Sequence, residues 1–212
     1  MSAIQPAPMS ESAKARVRGQ LQRALQERKG ASWKRGLGLL LAVTLGLASL
    51  VALGGVAGGA FSPELLLTRV MSLVMLLGAG ALAVVAAVRP GTSWTQRWAS
   101  LGAVLAAVVS VLVLRADGHE SSSPQWLCTV SHFGTELLPA AVAIFVMRSF
   151  DPGRLRATLA GAAVGLTGLF LGELACERGL VHVLLFHVPV LLVMVVLLPW
   201  LAERLGRRSF AP

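Results

Sequence analysis

Six long apolar stretches dominate the sequence and set the strongest limit on how the chain folds. Four of them contain no Asp, Glu, Lys or Arg, and each of the other two contains a single Glu. Runs of about 18 or more such residues are long enough to cross a bilayer as an α-helix. The stretches are Leu37–Val56, Val70–Val88, Trp98–Leu114, Leu127–Met147, Thr158–Cys176 and Leu180–Leu201.

The composition is that of a membrane protein rather than a soluble domain. Of the 212 residues, 55% are hydrophobic and only 14% are charged, with a mean hydropathy of +0.73. Soluble domains carry about 25% charged residues. Backbone polar groups in lipid must bond within their own segment, and the period-two alternation of a transmembrane barrel is absent. We therefore predict an all-α polytopic membrane protein with six transmembrane helices.

The positive charge of the chain is distributed unevenly along it. The net charge is +9, and 16 of the 19 Lys and Arg residues lie on the N-terminal arm, the C-terminal tail and the second and fourth connections. The other connections hold only Arg69, Arg115 and Arg178. Because cytoplasmic segments carry the excess of Lys and Arg, this bias predicts that both termini are cytoplasmic. It also accounts for the basic composition, so we expect no direct binding of nucleic acid.

Polar segments at both ends divide the chain into three parts. We expect a cytoplasmic arm, a six-helix transmembrane bundle and a cytoplasmic tail, at residues 1–35, 36–203 and 204–212. The connections between the stretches are short, so the sequence offers no soluble domain large enough for separate catalysis. The lipid bilayer is the first predicted partner, and a second copy of the chain is a further candidate.

We predict a short amphipathic helix in the arm at about 10–30, which Gly30 can end. Val17, Leu21 and Leu25 follow one another at four-residue steps and form a narrow apolar stripe on an otherwise cationic helix. Such a helix has two interpretations. Its Lys and Arg side chains can lie against anionic lipid headgroups, or its stripe can dock into a groove on a cytosolic protein.

Seven side chains of types that bind metals or titrate fall at one predicted membrane level. Three of them, in the fourth stretch, are spaced by four residues and therefore share one helical face. Two in the fifth stretch are three residues apart. The two histidines of the sixth are five apart, about 140° around an α-helix, so they need not face one site. The seven are Cys128, His132, Glu136, Glu173, Cys176, His182 and His187.

Ionisable groups inside a membrane cost several kcal/mol unless they are paired, protonated or bound to a metal. Three interpretations of the seven residues therefore compete. They form a metal or haem site, the two cysteines form a disulfide or thiol switch, or the side chains hydrogen-bond across helices for structural reasons. The HExxH spacing of a metal-assisted hydrolase is absent, so we expect no enzyme. A metal- or haem-dependent membrane enzyme or carrier is the alternative class.

Glycine recurs along one face of the fifth stretch. Gly161, Gly165, Gly168 and Gly172 are spaced by four, three and four residues, which keeps them together on a helix. Small residues on one face let a neighbouring backbone approach closely, as helix packing in lipid requires. The pattern predicts tight packing of this helix and by itself indicates no chemistry.

Several local motifs resemble one family of membrane regulators. They are GTELLPA in the fourth stretch, RLRATLAGAAVGLTG in the fifth, the run LxCERGxxHxLxFH and the closing RRSFAP. In these motifs, from about Leu127 onward, and in its overall topology, the chain resembles the CarR-type, and more distantly the NrsF-type, anti-sigma factors of the bacterial inner membrane. Proteins of this type have about six spans and a short cytoplasmic N-terminal segment.

The resemblance implies a function for the arm. It would sequester an extracytoplasmic-function sigma factor away from RNA polymerase and release it on a signal at the membrane. Residues of the 10–30 helix would contact the sigma factor, the apolar ones in its groove and the arginines on its acidic groups: Arg16, Val17, Arg18, Leu21, Arg23 and Leu25. The cytosolic zinc motif HxxxCxxC of other anti-sigma factors is absent from the arm. Any metal or redox chemistry would therefore lie at the outer membrane face.

Overall fold

A computed structural model describes residues 10–57, 63–115, 126–148, 153–176 and 178–208, apart from the side chains of 21–32, 55–57, 63–66, 68, 148 and 205–208. These residues are almost entirely helical. The helices are α1 (Glu11–Ala57), α2 (Pro63–Val88), α3 (Trp94–Leu114), α4 (Trp126–Arg148), α5 (Arg154–Ala175), α6 (Leu180–His182) and α7 (Val188–Arg208), with a π-helical turn at Val183–His187 between the last two.

Six helical segments of the described chain are long and apolar enough to cross a membrane. The last of them combines α6, the π-helical turn and most of α7. The all-α fold and the six apolar helices are thus confirmed, whereas the side on which each terminus lies stays a prediction. The segments are Trp33–Gly54, Arg69–Val88, Trp94–Leu114, Trp126–Met147, Arg154–Ala175 and Leu180–Arg204.

The first helix is longer than the sequence predicted. The expected helix at about 10–30 does not end at Gly30, because α1 continues without interruption to Ala57. A glycine inside a helix costs only about 1 kcal/mol relative to alanine, and a helix stops reliably only where further signals accompany it. No proline occurs between Glu11 and Ala57, and the apolar span that follows stabilises the helix beyond Gly30.

Helix α5 lies at the centre of the bundle. Of its 22 residues 17 are buried, and it packs against α2, α4 and α7. Gly161 and Gly165 face α7, where a methyl group at Gly161 would overlap the carbonyl oxygen of Met194. The first half of the glycine face therefore lets the α7 backbone come close, as the spacing predicted.

Arginine side chains connect the helix ends at both poles of the bundle. At one pole, Arg156 of α5 donates hydrogen bonds to the carbonyl oxygens of Ala87 and Val88, at 2.7 and 2.9 Å, where α2 ends. At the other pole, Arg115 at the end of α3 pairs with Glu173 near the end of α5. The last carbonyls of a helix lack intrahelical partners, so these arginines supply donors that lipid cannot. We call the two poles the Arg156 end and the Glu173 end.

The contact at Gly161 gives a test of the central packing. We expect Gly161→Ala to lower the stability of the folded bundle by about 1–3 kcal/mol, because the added methyl meets backbone that cannot move aside. Gly102→Ala, in a helix position with nothing within 4 Å of the added methyl, is the matched control. It should be neutral or stabilising by up to about 1 kcal/mol. Thermal unfolding of detergent-solubilised protein measures both; equal stability of the two variants would contradict the packing.

Candidate functional site

Two thiols and two imidazoles meet at the Glu173 end of the bundle. Cys128, Cys176, His182 and His187 each place one ligand atom within 4.8 Å of those of the other three. Cys128 is half-buried, and the other three are buried. They come from α4, from the connection after α5 and from the last span. We call these four residues the Cys/His group.

The π-helical turn explains why both histidines of the last span join this group. In this turn the N–H of Val188 donates to the carbonyl of Val183, five residues back, so residues five apart come to one face. The ring centroids of His182 and His187 lie 5.1 Å apart. Pro189 lacks the N–H that an α-helix needs here, which favours the wider turn before it. The expected separation of about 140° assumed an uninterrupted α-helix, and that assumption was wrong.

Two further polar side chains lie deeper in the bundle than the Cys/His group. His132 is one turn along α4 from Cys128, and its ring centroid lies 4.2 Å from that of His187, with the rings nearly perpendicular. Glu136 is one turn deeper still and only 1% exposed. Neither the ring nitrogens of His132 nor the carboxyl oxygens of Glu136 have a hydrogen-bond partner among the described residues. We call His132 and Glu136 the inner pair.

Glycines of α5 make the space that these polar side chains occupy. A methyl group at Gly172 would overlap ring nitrogens of both His132 and His187, and one at Gly168 would overlap the carboxylate of Glu136. The glycine face therefore has two uses: its first half admits the α7 backbone, and its second half admits the inner pair. Spacing alone gave no sign of this second use, because it depends on which face of α4 meets α5.

Glu173 lies in a separate network from the Cys/His group. Its carboxylate accepts hydrogen bonds from Arg115 Nε at 2.9 Å and from Ser72 Oγ at 3.0 Å. The side chains of the ion pair are only 5% and 2% exposed. The seven predicted residues are thus divided into the four of the Cys/His group, the two of the inner pair, and Glu173, which forms a buried ion pair with Arg115.

The arginines that depart from the charge bias have a structural explanation. Arg69 donates to the carbonyl oxygens of Glu173 and Cys176, the latter at 2.8 Å. Arg115 donates to the carbonyl oxygen of Arg178 at 3.0 Å. These contacts fasten the start of α2 and the end of α3 to the segment that carries Cys176. They therefore hold one edge of the Cys/His group in place, a role that the sequence analysis did not assign.

The predicted partner-binding residues lie on the first turns of α1. Arg16, Val17 and Arg18 are exposed, and the apolar side chain of Val17 is 52% exposed. The side chains of Leu21, Arg23 and Leu25 lie outside the described part of the structure. The described residues thus present one apolar and two cationic side chains together on this helix.

The buried ion pair makes a prediction about stability. Glu173→Ala leaves Arg115 buried without its carboxylate, so we expect a loss of about 3–5 kcal/mol. The matched control is Glu203→Ala, which breaks the Arg154–Glu203 pair, whose arginine side chain is 82% exposed. That change should cost less than about 1 kcal/mol. Thermal unfolding in detergent distinguishes the two, and a Glu173→Ala loss no larger than that of Glu203→Ala would contradict a stabilising role.

Together these features define a multi-pass helical membrane protein with two thiols and two imidazoles close together at one end, and with exposed basic side chains at the start of the helix that leads into its first span. The family model NrsF, described as negative regulator of sigma F, matches residues 22–207. The chain belongs to this family. It is also 40% identical over 182 residues to the carotenogenesis protein CarR of Myxococcus xanthus, a match that covers 85% of this chain and 81% of that protein. No solved structure matches. The resemblance inferred from the sequence motifs is confirmed.

Proposed function

We propose that this protein is an anti-sigma factor that holds an extracytoplasmic-function sigma factor at the bacterial inner membrane and releases it on a signal. The observation that carries the proposal is membership, over residues 22–207, of a family described as negative regulators of a sigma factor. The regulatory family description also favours a protein without enzyme activity.

The first part of α1 is the segment best suited to hold the partner. This segment consists of the 22 helical residues from Glu11 up to the first span, which begins at Trp33. They extend about 33 Å along the helix axis. A helix of this length is longer than the lipid headgroup layer is thick. It is about as long as a small protein domain is wide. The apolar side chain of Val17 between Arg16 and Arg18 suits a groove with an acidic rim. We therefore place the sigma factor on this arm rather than on the bundle.

The arm gives the direct test of this proposal. We expect Val17→Asp and Leu21→Asp each to weaken capture of the sigma factor at least about tenfold, because a charge replaces an apolar contact. Ala15→Asp, at an exposed position on the other side of the same helix from Val17, adds the same charge and should leave capture unchanged. Co-purification of extracytoplasmic-function sigma factors of the same organism with the full-length chain from membranes measures the effect. Undiminished capture by both Asp variants of the stripe would refute the assignment.

A second function, binding of a metal ion or haem, is favoured by the Cys/His group. Two thiolates and two imidazoles within 4.8 Å of one another form a donor set that suits zinc or another transition metal. The ring nitrogens of His182 and Nε2 of His187 have no hydrogen-bond partner among the described residues, as expected of nitrogens free to bind a metal. The same group would serve either as the sensor of the anti-sigma factor or as the centre of a membrane enzyme or carrier.

The two other interpretations of the Cys/His group differ in how well they fit. Cys128 and Cys176 are free thiols whose sulfurs lie within 4.8 Å, so a small approach would allow a disulfide. Purely structural pairing fits less well. It requires hydrogen bonds across helices, and the described residues supply none to the ring nitrogens of His132 or His182. Metal binding and thiol oxidation are therefore the two kinds of chemistry by which the group would register a signal.

Metal binding has a simple test. We expect purified wild-type protein to carry about one metal ion per chain, since four ligands complete one tetrahedral site. Cys176→Ser and His182→Ala should lose the ion, whereas His132→Ala, which removes a side chain outside the Cys/His group, should keep it. Elemental analysis measures the metal, and a visible spectrum detects haem. Wild-type protein that lacks both and still regulates would end the enzyme or carrier alternative and leave thiol oxidation as the signal chemistry.

A further inference from the structure

Helix α4 carries part of the Cys/His group and also contacts α1 at Gly36, just after the arm. At the Glu173 end it carries Cys128 and His132, and toward the Arg156 end its Val146 lies against Gly36 of α1. A methyl group added at Gly36 would lie 2.7 Å from Val146 Cγ1. Valine in a helix is held in essentially one rotamer, so Val146 cannot swing away from α1. This contact is therefore close and stiff.

Among the described residues, few side-chain hydrogen bonds join the half of α4 that carries the polar side chains to other helices. No hydrogen bond from the described residues reaches the side chains of the inner pair, and the one cross-helix bond that Thr129 makes goes to the carbonyl oxygen of Phe186 at 3.2 Å. Pro139, which is fully buried inside α4, removes the N–H that would bond the carbonyl of Thr135. A proline inside a helix is a point at which the helix bends. The two halves of α4 therefore meet at a natural pivot.

Helix α1 presents one regular face to the bundle. Its buried positions recur every four residues, at Gly36, Leu40, Thr44 and Ala48. Because α1 is continuous from Glu11 to Ala57, the direction and rotation of the arm depend on how this buried face packs against the other helices. A chain tethered by a flexible linker would have no such dependence.

We propose that Gly36 and Val146 are positioning residues of the arm, through which α4 transmits a change at the Cys/His group to the sigma-binding helix. Tilting of α4 about Pro139 moves Val146 against Gly36, and α1 then turns as one rigid rod. The proposal rests on the proposed anti-sigma function. It adds that the arm is a lever seated on the bundle rather than a free tether.

A size exchange at this contact tests the proposal in the full-length protein in its membrane. We expect Gly36→Ala to raise transcription from the sigma-dependent promoter about fivefold or more without any signal, because the methyl displaces α1 from α4. Val146→Ala removes both methyls that the new Cβ would meet, so the double variant should return to within about twofold of wild type. Gly38→Ala, two residues away with nothing within 4 Å, is the control and should stay near wild type.

A hinge in the arm separates transmission from simple misfolding. The paired substitutions Lys29→Gly and Ala31→Gly flank the natural Gly30 and so create a run of three glycines, which interrupts the rod between the bundle and the sigma-binding residues. In the Gly36→Ala background this hinge should restore repression, since displacement of α1 no longer reaches the arm. A bundle that had merely failed to fold would stay derepressed and be depleted from the membrane fraction.

The outcomes distinguish this proposal from the function on which it rests. If the wild-type chain retains no sigma factor, the anti-sigma function itself is wrong. If it retains the sigma factor while Gly36→Ala behaves like Gly38→Ala, the anti-sigma function stands and the lever is refuted. Derepression by Gly36→Ala that neither Val146→Ala nor the glycine hinge reverses would also refute the lever.

Discussion

The absence of water in the bilayer core is the constraint on which this structure depends. Every buried polar group must find its partner inside the protein, because lipid offers none. The chain meets this demand at its helix ends with arginine: Arg156 satisfies the last carbonyls of α2, and Arg69 and Arg115 satisfy those of α5. The single carboxylate of Glu173 then compensates Arg115. These contacts tie the central helix to its neighbours at both poles.

The side chains of the inner pair are exceptions to this rule. The described residues leave the ring nitrogens of His132 and both carboxyl oxygens of Glu136 without hydrogen bonds, although these side chains are buried. Glycines of α5 leave space for them, where the methyl group of an alanine would overlap their polar atoms. Buried groups that a structure leaves unsatisfied at a cost in stability usually have a role beyond stability, such as ligand binding or stored strain. They lie directly beneath the Cys/His group, which supports the proposal that this end of the bundle senses the signal.

The sequence predicted the features that depend on one segment at a time. The length of the apolar stretches predicted the membrane spans. The similar depth of the cysteines and histidines in three of these stretches predicted that they lie close together. The sequence did not predict features that depend on how two segments meet. The pairing of Glu173 with Arg115 and the contact of Gly168 with α4 can be recognised only once the arrangement of the helices is known. Two local errors had local causes. A single glycine costs a helix only about 1 kcal/mol, so Gly30 alone does not end α1, and the missing N–H of Pro189 favours a turn wider than that of an α-helix.

In a regulator of this size, few structural elements connect the Cys/His group at one end of the bundle with the arm at the other. The described connections are short and the described residues form no separate domain between the poles, so we infer that a change at the Cys/His group reaches the arm along the helices. Helix α4 carries Cys128 of this group, and its far end contacts α1 just after the arm, through Val146 and Gly36. A rigid α1 then converts a small displacement at its seat into a larger one at its tip, because about half of its length lies ahead of the span. The continuity of α1 through Gly30, which the sequence did not predict, is therefore the feature that gives the bundle a mechanical hold on the arm.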